Sequence, residues 1–253
     1  MLRKAALVVS FGALLFGCGG PNVETEEIIS NLVQAGFPAD DMMVVDGLVY
    51  VGRDTVVTLE ASREMLQTDQ STQEQFRTTN LISTTLVTIC VTPTSAFNTY
   101  SQLSAGLDGA IQNYNNQNLT FHLVRGPATC DATITAKTMS GVGGSSGFPK
   151  GGKPYGTINI GTGLQSYSVG VNTHVITHEI GHTIGFRHSD YYDRSISCGG
   201  SPTNEGTAGV GAILIPGTPS TAKVGGSVMN SCFRSSETGN WSSTDVTALQ
   251  YLY

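Results

Sequence analysis

The segment HEIGHTIGFRH at residues 178–188 constrains this chain more than any other stretch of it. His178 and His182 stand four apart, so on a helix both imidazoles leave the same face about one turn apart, within reach of a single metal ion. Glu179, one step round that helix, can reach a water on the metal without being a ligand itself. Gly185 can take the left-handed backbone that ends a helix and turns the chain sharply, which brings His188 back as a third ligand. Three neutral imidazoles with the fourth position open describe a catalytic zinc, which lowers the pKa of its bound water to about 7. Only five histidines occur in the whole chain, and three of them stand at the demanded spacing. At this chain's own frequencies of His, Glu and Gly, five fixed positions are matched by accident on the order of 10⁻⁵ times.

The two remaining histidines are read differently. His174 lies four residues before His178 on the same helical face, but His188 already completes a ligand set, so His174 is expected to line the cleft wall. His122 falls in a strand without a partner at ligand spacing and is expected to be structural. Asp190 to Arg194 follow the last ligand, where a salt bridge or a contact to the ligands is expected.

The start of the chain has its own signature. Arg3 and Lys4, the apolar run Ala5 to Phe16, and the small Gly17 before Cys18 form a secretory signal over residues 1–17. This run is too short to span a membrane. Leu15-Phe16-Gly17-Cys18 resembles the bacterial lipobox, which implies lipidation of Cys18, an exported protein of the cell envelope or medium, and membrane attachment only through that lipid. Charged residues are 13% of the chain against about 25% on average, as suits an uncharged, loop-rich secreted surface. Losing Arg3 and Lys4 takes the net charge from −6 to −8, and no later Lys/Arg cluster exists. That charge excludes nucleic acid as a partner, because phosphate binding needs a basic stripe. Cys90, Cys130, Cys198 and Cys232 are an even set in an exported chain, so two disulfides are expected; three connectivities are open, and pairing neighbours in order needs the fewest crossings.

Beyond the signal, residues 18–65 read as a small N-terminal segment. It holds an amphipathic helix over 24–36, strands over Met42 to Val45 and Leu48 to Gly52 flanking an Asp46-Gly47 turn, and a third strand from Asp54 to Leu59. The polar stretch 66–80 reads as a linker. From residue 81 strands and helices alternate: strands over Leu86 to Val91, Leu119 to Val124, Ala132 to Lys137 and Thr157 to Ile160, one helix over Ser95 to Asn115, and the histidine helix over Val171 to Ile184. Loop follows, then a terminal helix from about Ser243 to Leu252 behind the capping-box spacing Ser242-x-x-Asp245. A monomer is expected.

Residues 178–188 match the whole of HExxHxxGxxH, and the chain thereby resembles the metzincin zinc endopeptidases; the HEIGH core and the lipoprotein-like start are similar to the bacterial HEIGH metallopeptidases, peptidase family M57. The resemblance implies an α+β fold over 81–253: a five-stranded twisted mixed sheet, the active-site helix, a second long helix, and a loop-rich C-terminal subdomain ending in a helix. It implies Met229, in Ser227-Val228-Met229-Asn230, as the methionine beneath the metal. It implies one catalytic Zn²⁺ on His178, His182 and His188, Glu179 as the base that activates the zinc-bound water, and a protein or peptide substrate. Some relatives carry a tyrosine two residues after the methionine, where Ser231 stands here. Gly143 to Pro149 resembles the edge strand that pairs with extended substrate. In astacin-like metzincins a pro-region aspartate can occupy the open zinc position, which makes Asp54 the latency candidate and 18–65 pro-like, although Arg53 departs from the Gly-Asp pattern. Two alternatives stand beside this reading: a catalytically silent zinc-containing surface-binding protein, against which Glu179 argues, and a gluzincin arrangement with Glu205 as third ligand, in which Gly185 and His188 would lack a purpose.

Overall fold

The computed structural model describes residues 23–66, 75–206, 212–219 and 221–253. The signal expected over 1–17, the lipidation candidate Cys18 and the middle of the expected linker lie outside these residues. Among the described residues no helix is long and apolar enough to cross a membrane.

The first layer is local. Helix α1 (Val23–Gln34) buries Ile28 and Leu32. Strands β1 (Met43–Val45) and β2 (Leu48–Val51) pair antiparallel around Asp46 and Gly47, whose φ of 51° and 79° are the two left-handed residues that a two-residue hairpin turn requires. Strand β3 (Thr55–Val57) pairs antiparallel with β2 and leads into α2 (Leu59–Met65), capped by the Thr58 hydroxyl, which accepts from the Ala61 N–H at 3.2 Å. The rest of the chain runs β4 (Phe76–Arg77), β5 (Thr88–Pro93), α3 (Ser95–Asn98), α4 (Ser101–Asn115), β6 (His122–Arg125), β7 (Ala132–Met139), β8 (Gly144–Gly147), β9 (Thr157–Gly161), α5 (Val169–Ile184), α6 (Ser195–Cys198), β10 (Ile213–Leu214) and α7 (Ser243–Leu252). The single helix expected over Ser95 to Asn115 is two, because Tyr100 is extended (φ −98°, ψ 100°) and the Thr99 hydroxyl turns back to the Ala96 carbonyl.

The main sheet has eight strands rather than five, in the order β1-β2-β3-β8-β9-β7-β5-β6. Five come from residues 88–161: β6, β5, β7 and β9 run parallel, and β8 is antiparallel to β9. The N-terminal segment supplies the other three by laying β3 parallel along the outer edge of β8, Thr55 opposite Ser146 and Val56 opposite Gly147. An edge strand has unmet backbone donors, and β3 satisfies them: Ser146 donates to the Asp54 carbonyl at 3.0 Å and Phe148 to that of Val56 at 3.4 Å. Close approach needs a glycine here, since a Cβ on Gly147 would stand 2.7 Å from the Val56 carbonyl oxygen.

Helices α4 and α5 bury Leu103, Leu107 and Ala110, and Ile176, Ile180 and Ile184, against sheet residues Ile89, Val91, Ile134 and Ile158. Gly106 lets the helices touch, for its Cβ would meet the Cβ of Asn172 at 2.6 Å. Residues 23–66 have a smaller cluster around Leu32, Val49 and Met65, which Phe148 joins from the strand edge. Disulfides link Cys90 to Cys130 and Cys198 to Cys232, the pairing of neighbours in order.

Candidate metal centre

Helix α5 starts where the Ser168 hydroxyl caps the Val171 N–H at 3.2 Å, and it is buried from Val171 through Ile184. Gly185 ends it with φ 115°, and a Cβ there would stand 2.7 Å from the Asn80 carbonyl oxygen, so both conformation and space require glycine. The chain then doubles back. Phe186 N–H bonds the Gly181 carbonyl at 3.0 Å, and His188 returns to the face that carries His178 and His182.

The three rings are fixed through Nδ1. His178 donates to the Val228 carbonyl and His182 to the Phe186 carbonyl, each at 2.8 Å, and His188 donates to Glu205 Oε1 at 2.7 Å. Carbonyls and carboxylates only accept, so the proton of each neutral ring sits on Nδ1 and each Nε2 presents a lone pair. Those lone pairs converge, His178 Nε2 lying 3.0 Å from that of His182 and 3.2 Å from that of His188. Mutually facing lone pairs repel unless a cation sits between them. A tetrahedral ion with bonds of about 2.0–2.1 Å to nitrogen would hold its ligand atoms about 3.3 Å apart, so the donor set fits zinc.

A carboxylate closes the fourth side. Asp54 lies at the tip of the β2–β3 hairpin, after Gly52 and Arg53 with φ 59° and 72°. Its Oδ2 stands 3.0 Å from His188 Nε2 and 3.9 Å from His178 Nε2, and its Oδ1 3.9 Å from His182 Nε2. Asp54 and the three histidines are the one potential metal-holding group among the described residues. Burial opposes ionisation of Asp54, but the imidazole cluster it faces, His188 first, holds its pKa well below the carboxylate range.

Glu179 lies beside this group and outside it. The Ser146 hydroxyl on β8 donates to its Oε2 at 2.7 Å, and Gly144 makes room for it, since a Cβ there would meet Glu179 Cγ at 2.6 Å. Burial first, and the Asp54 charge second, push the Glu179 pKa well up. A buried carboxyl at the side of the cleft is placed to take and return a proton.

Behind the histidines, Met229 is buried, and its Sδ would stand 2.7 Å from a Cβ on Gly181, between the two helical histidines. The turn that carries it is anchored by Asp245, which accepts from the Ser227 hydroxyl at 2.5 Å and the Val228 N–H at 3.0 Å. Ser231, on the wall of the cleft, is engaged by Asp190, which accepts from its N–H at 2.9 Å and its hydroxyl at 2.7 Å. Glu205 meets His188 at Nδ1, not at the Nε2 cluster, so it takes no place among the converging donors. Burial works against the Glu205 charge, yet His188, Arg187 and Arg194 outweigh it and bring its pKa to about 2.

His174 stays outside the donor group: its Nδ1 is 3.7 Å from Glu237 Oε2, and burial and then His178 push its pKa down to about 4. It does line the cleft, a cavity of about 260 Å³ between Val142 to Gly144 on one side and Asn230 to Phe233 on the other. His122 is exposed on the outermost strand, β6, 3.4 Å from the Thr88 hydroxyl. Sequence reasoning did not single out Ser146 or Gly144, and weighed Glu205 only as a ligand. No periodicity marks these three, which reach the site from other elements.

Comparison with protein families matches residues 49–253 to the dual-action HEIGH metallo-peptidases of peptidase family M57. No curated protein sequence matches the chain. Among solved structures, two of myroilysin are similar: one at 16% identity and TM-score 0.28 over 41% of this chain and 44% of that one, the other at 17% and 0.38 over 66% and 92%. The matched part thus spans less than half of the first of these chains and most of the second.

Proposed function

The chain belongs to the HEIGH metallo-peptidases of family M57, and we propose that within this family of zinc enzymes it is a metzincin-type endopeptidase, exported, tethered through a lipid on Cys18, and held latent by its own N-terminal segment. The observation that carries the reading is the convergence of three imidazole lone pairs beside a buried carboxyl that is not one of them. His178, His182 and His188 would hold the zinc. When bound, zinc supplies a polarising charge for the scissile carbonyl and acidifies a coordinated water.

The chain's own groups do the rest. Glu179 takes the proton of the attacking water and returns it to the leaving amine. Ser146 keeps Glu179 turned toward the cleft. The Val228 and Phe186 carbonyls hold two imidazoles in the donor tautomer, and Met229 fills the space behind them. The free edge of β8 is a template for an extended peptide, which β3 covers in the full chain. Asp54 stands where the reacting water is needed, so the full chain is latent until the segment leaves, with cleavage between residues 66 and 80 as the releasing event. The substrate is protein or peptide, and the enzyme acts as a monomer.

A peptide library incubated with the zinc-loaded full-length chain and with its Asp54→Ala variant tests this. The variant should cut internal peptide bonds and the unprocessed parent should not. Adding Glu179→Gln to the variant should abolish cleavage at one zinc per chain. Activity that survives the glutamine, or a library left intact by every form, would refute the reading.

A further inference from the structure

The three imidazoles are not held alike. His178 and His182 sit on a rigid helix and donate to backbone carbonyls, whereas His188 lies in the return after Gly185 and donates to a side chain, Glu205 Oε1, at 2.7 Å. Its orientation therefore depends on a residue 17 positions away in the chain. Glu205 is itself only 2% exposed and is clamped from two sides. Arg187 approaches its Oε2 at 3.5 Å, and Arg194 Nη1 donates to its Oε1. Arg194 Nη1 also donates to the Gly52 carbonyl at 2.6 Å, at the hairpin tip that carries Asp54. A Cβ on Gly52 would stand 3.0 Å from Glu205 Oε2, so this hairpin sits directly on the carboxylate.

Resting on the reading of His188 as a zinc ligand, we propose that Glu205 is the positioning residue of the third ligand, and that through Arg194 the same carboxylate seats the hairpin that supplies the fourth. A carboxylate that accepts from a ligand imidazole fixes its tautomer and ring direction and strengthens its Nε2 as a donor. The guanidiniums of Arg187 and Arg194 offset the cost of burying that negative charge next to the metal. Removal of such an outer partner typically weakens metal binding by about 10–100-fold.

The test uses the full-length chain, with zinc affinity measured by chelator competition and the ligand field read from the visible spectrum of the Co²⁺-substituted protein. Glu205→Gln keeps the shape and removes the charge. Glu205→Asp keeps the charge for both arginines, and so the fold, but is too short to reach His188. Both should bind zinc at least tenfold more weakly, with an altered Co²⁺ spectrum, and in a His188→Ala background Glu205→Gln should have a smaller effect, the part that acts through the Asp54 hairpin. Wild-type affinity and spectrum in a folded variant, an equal loss in the His188→Ala background, or failure of both variants to fold would overturn the proposal by making Glu205 a structural residue. If His188→Ala alone leaves zinc affinity unchanged, the ligand reading itself fails, which is a separate outcome.

Discussion

The Cys198–Cys232 disulfide should be a large part of what holds the cleft together, and its contribution can be worked out. It closes a loop of 34 residues that starts ten residues beyond His188 and ends just after Met229. In the chain-entropy relation a loop of that length restricts the unfolded chain by about 3.8 kcal/mol at 25 °C. Cys198 is exposed and Cys232 half-buried, so replacing both by alanine removes little packing and isolates the cross-link. For a chain of this size, each kcal/mol moves the melting temperature by about 2–4 °C, so Cys198→Ala/Cys232→Ala should melt about 8–15 °C lower by calorimetry. In the Asp54→Ala background, which is not latent, cleavage should fall as well, because Asn230 to Phe233 form one wall of the cleft and Cys232 is among them. The other disulfide is the control: Cys90→Ala/Cys130→Ala lies away from the cleft and should lower the melting temperature at least as much while sparing turnover at 20 °C. A shift below about 3 °C for the first pair would refute the entropic reasoning.

Further outcomes are equally open to measurement. In the Asp54→Ala background, Gly144→Ala would drive a methyl into Glu179, so turnover should drop about 100-fold or more with zinc content unchanged by atomic absorption; near-normal turnover would show that Glu179 can work from elsewhere. His174→Ala should leave zinc at one per chain, whereas His188→Ala should lower it. The pKa of His174 is pushed below its ordinary 6.5 to about 4 by burial and His178, so the unfolded chain takes up that proton first as the pH falls. Its contribution to stability is complete above about pH 6.5 and is lost as the pH falls toward 4, so His174→Gln should flatten the denaturation midpoint across that window.

How much of this was readable beforehand depends on whether side chains or backbone carry the contact. Helix α5 and its stop were legible because the apolar and histidine positions share one period and Gly185 must be left-handed. The Asp46-Gly47 hairpin and the Ser242–Asp245 capping box are likewise local, written in two to four residues. The pairing of β3 with β8 was not legible, since it joins residues about 90 apart through N–H and C=O groups that every residue has. The expected five strands became eight for that reason. Helix α2 has no counterpart in the sequence reading, where a strand ends at Leu59, because its cap, Thr58, follows a β-rich run. The break at Tyr100 hides inside an apolar pattern that fits one long helix. Ser146 and Glu205 are a common serine and a loop glutamate until the fold sets them against Glu179 and His188.

X-ray absorption at the zinc edge of the full-length chain tests the central claim most directly, because multiple scattering from imidazole rings counts them. The account predicts three histidine nitrogens and one carboxylate oxygen at about 2.0–2.2 Å, with the oxygen contribution altered and the imidazole count unchanged in Asp54→Ala. Two imidazoles with a second carboxylate, or any sulfur ligand, would contradict it.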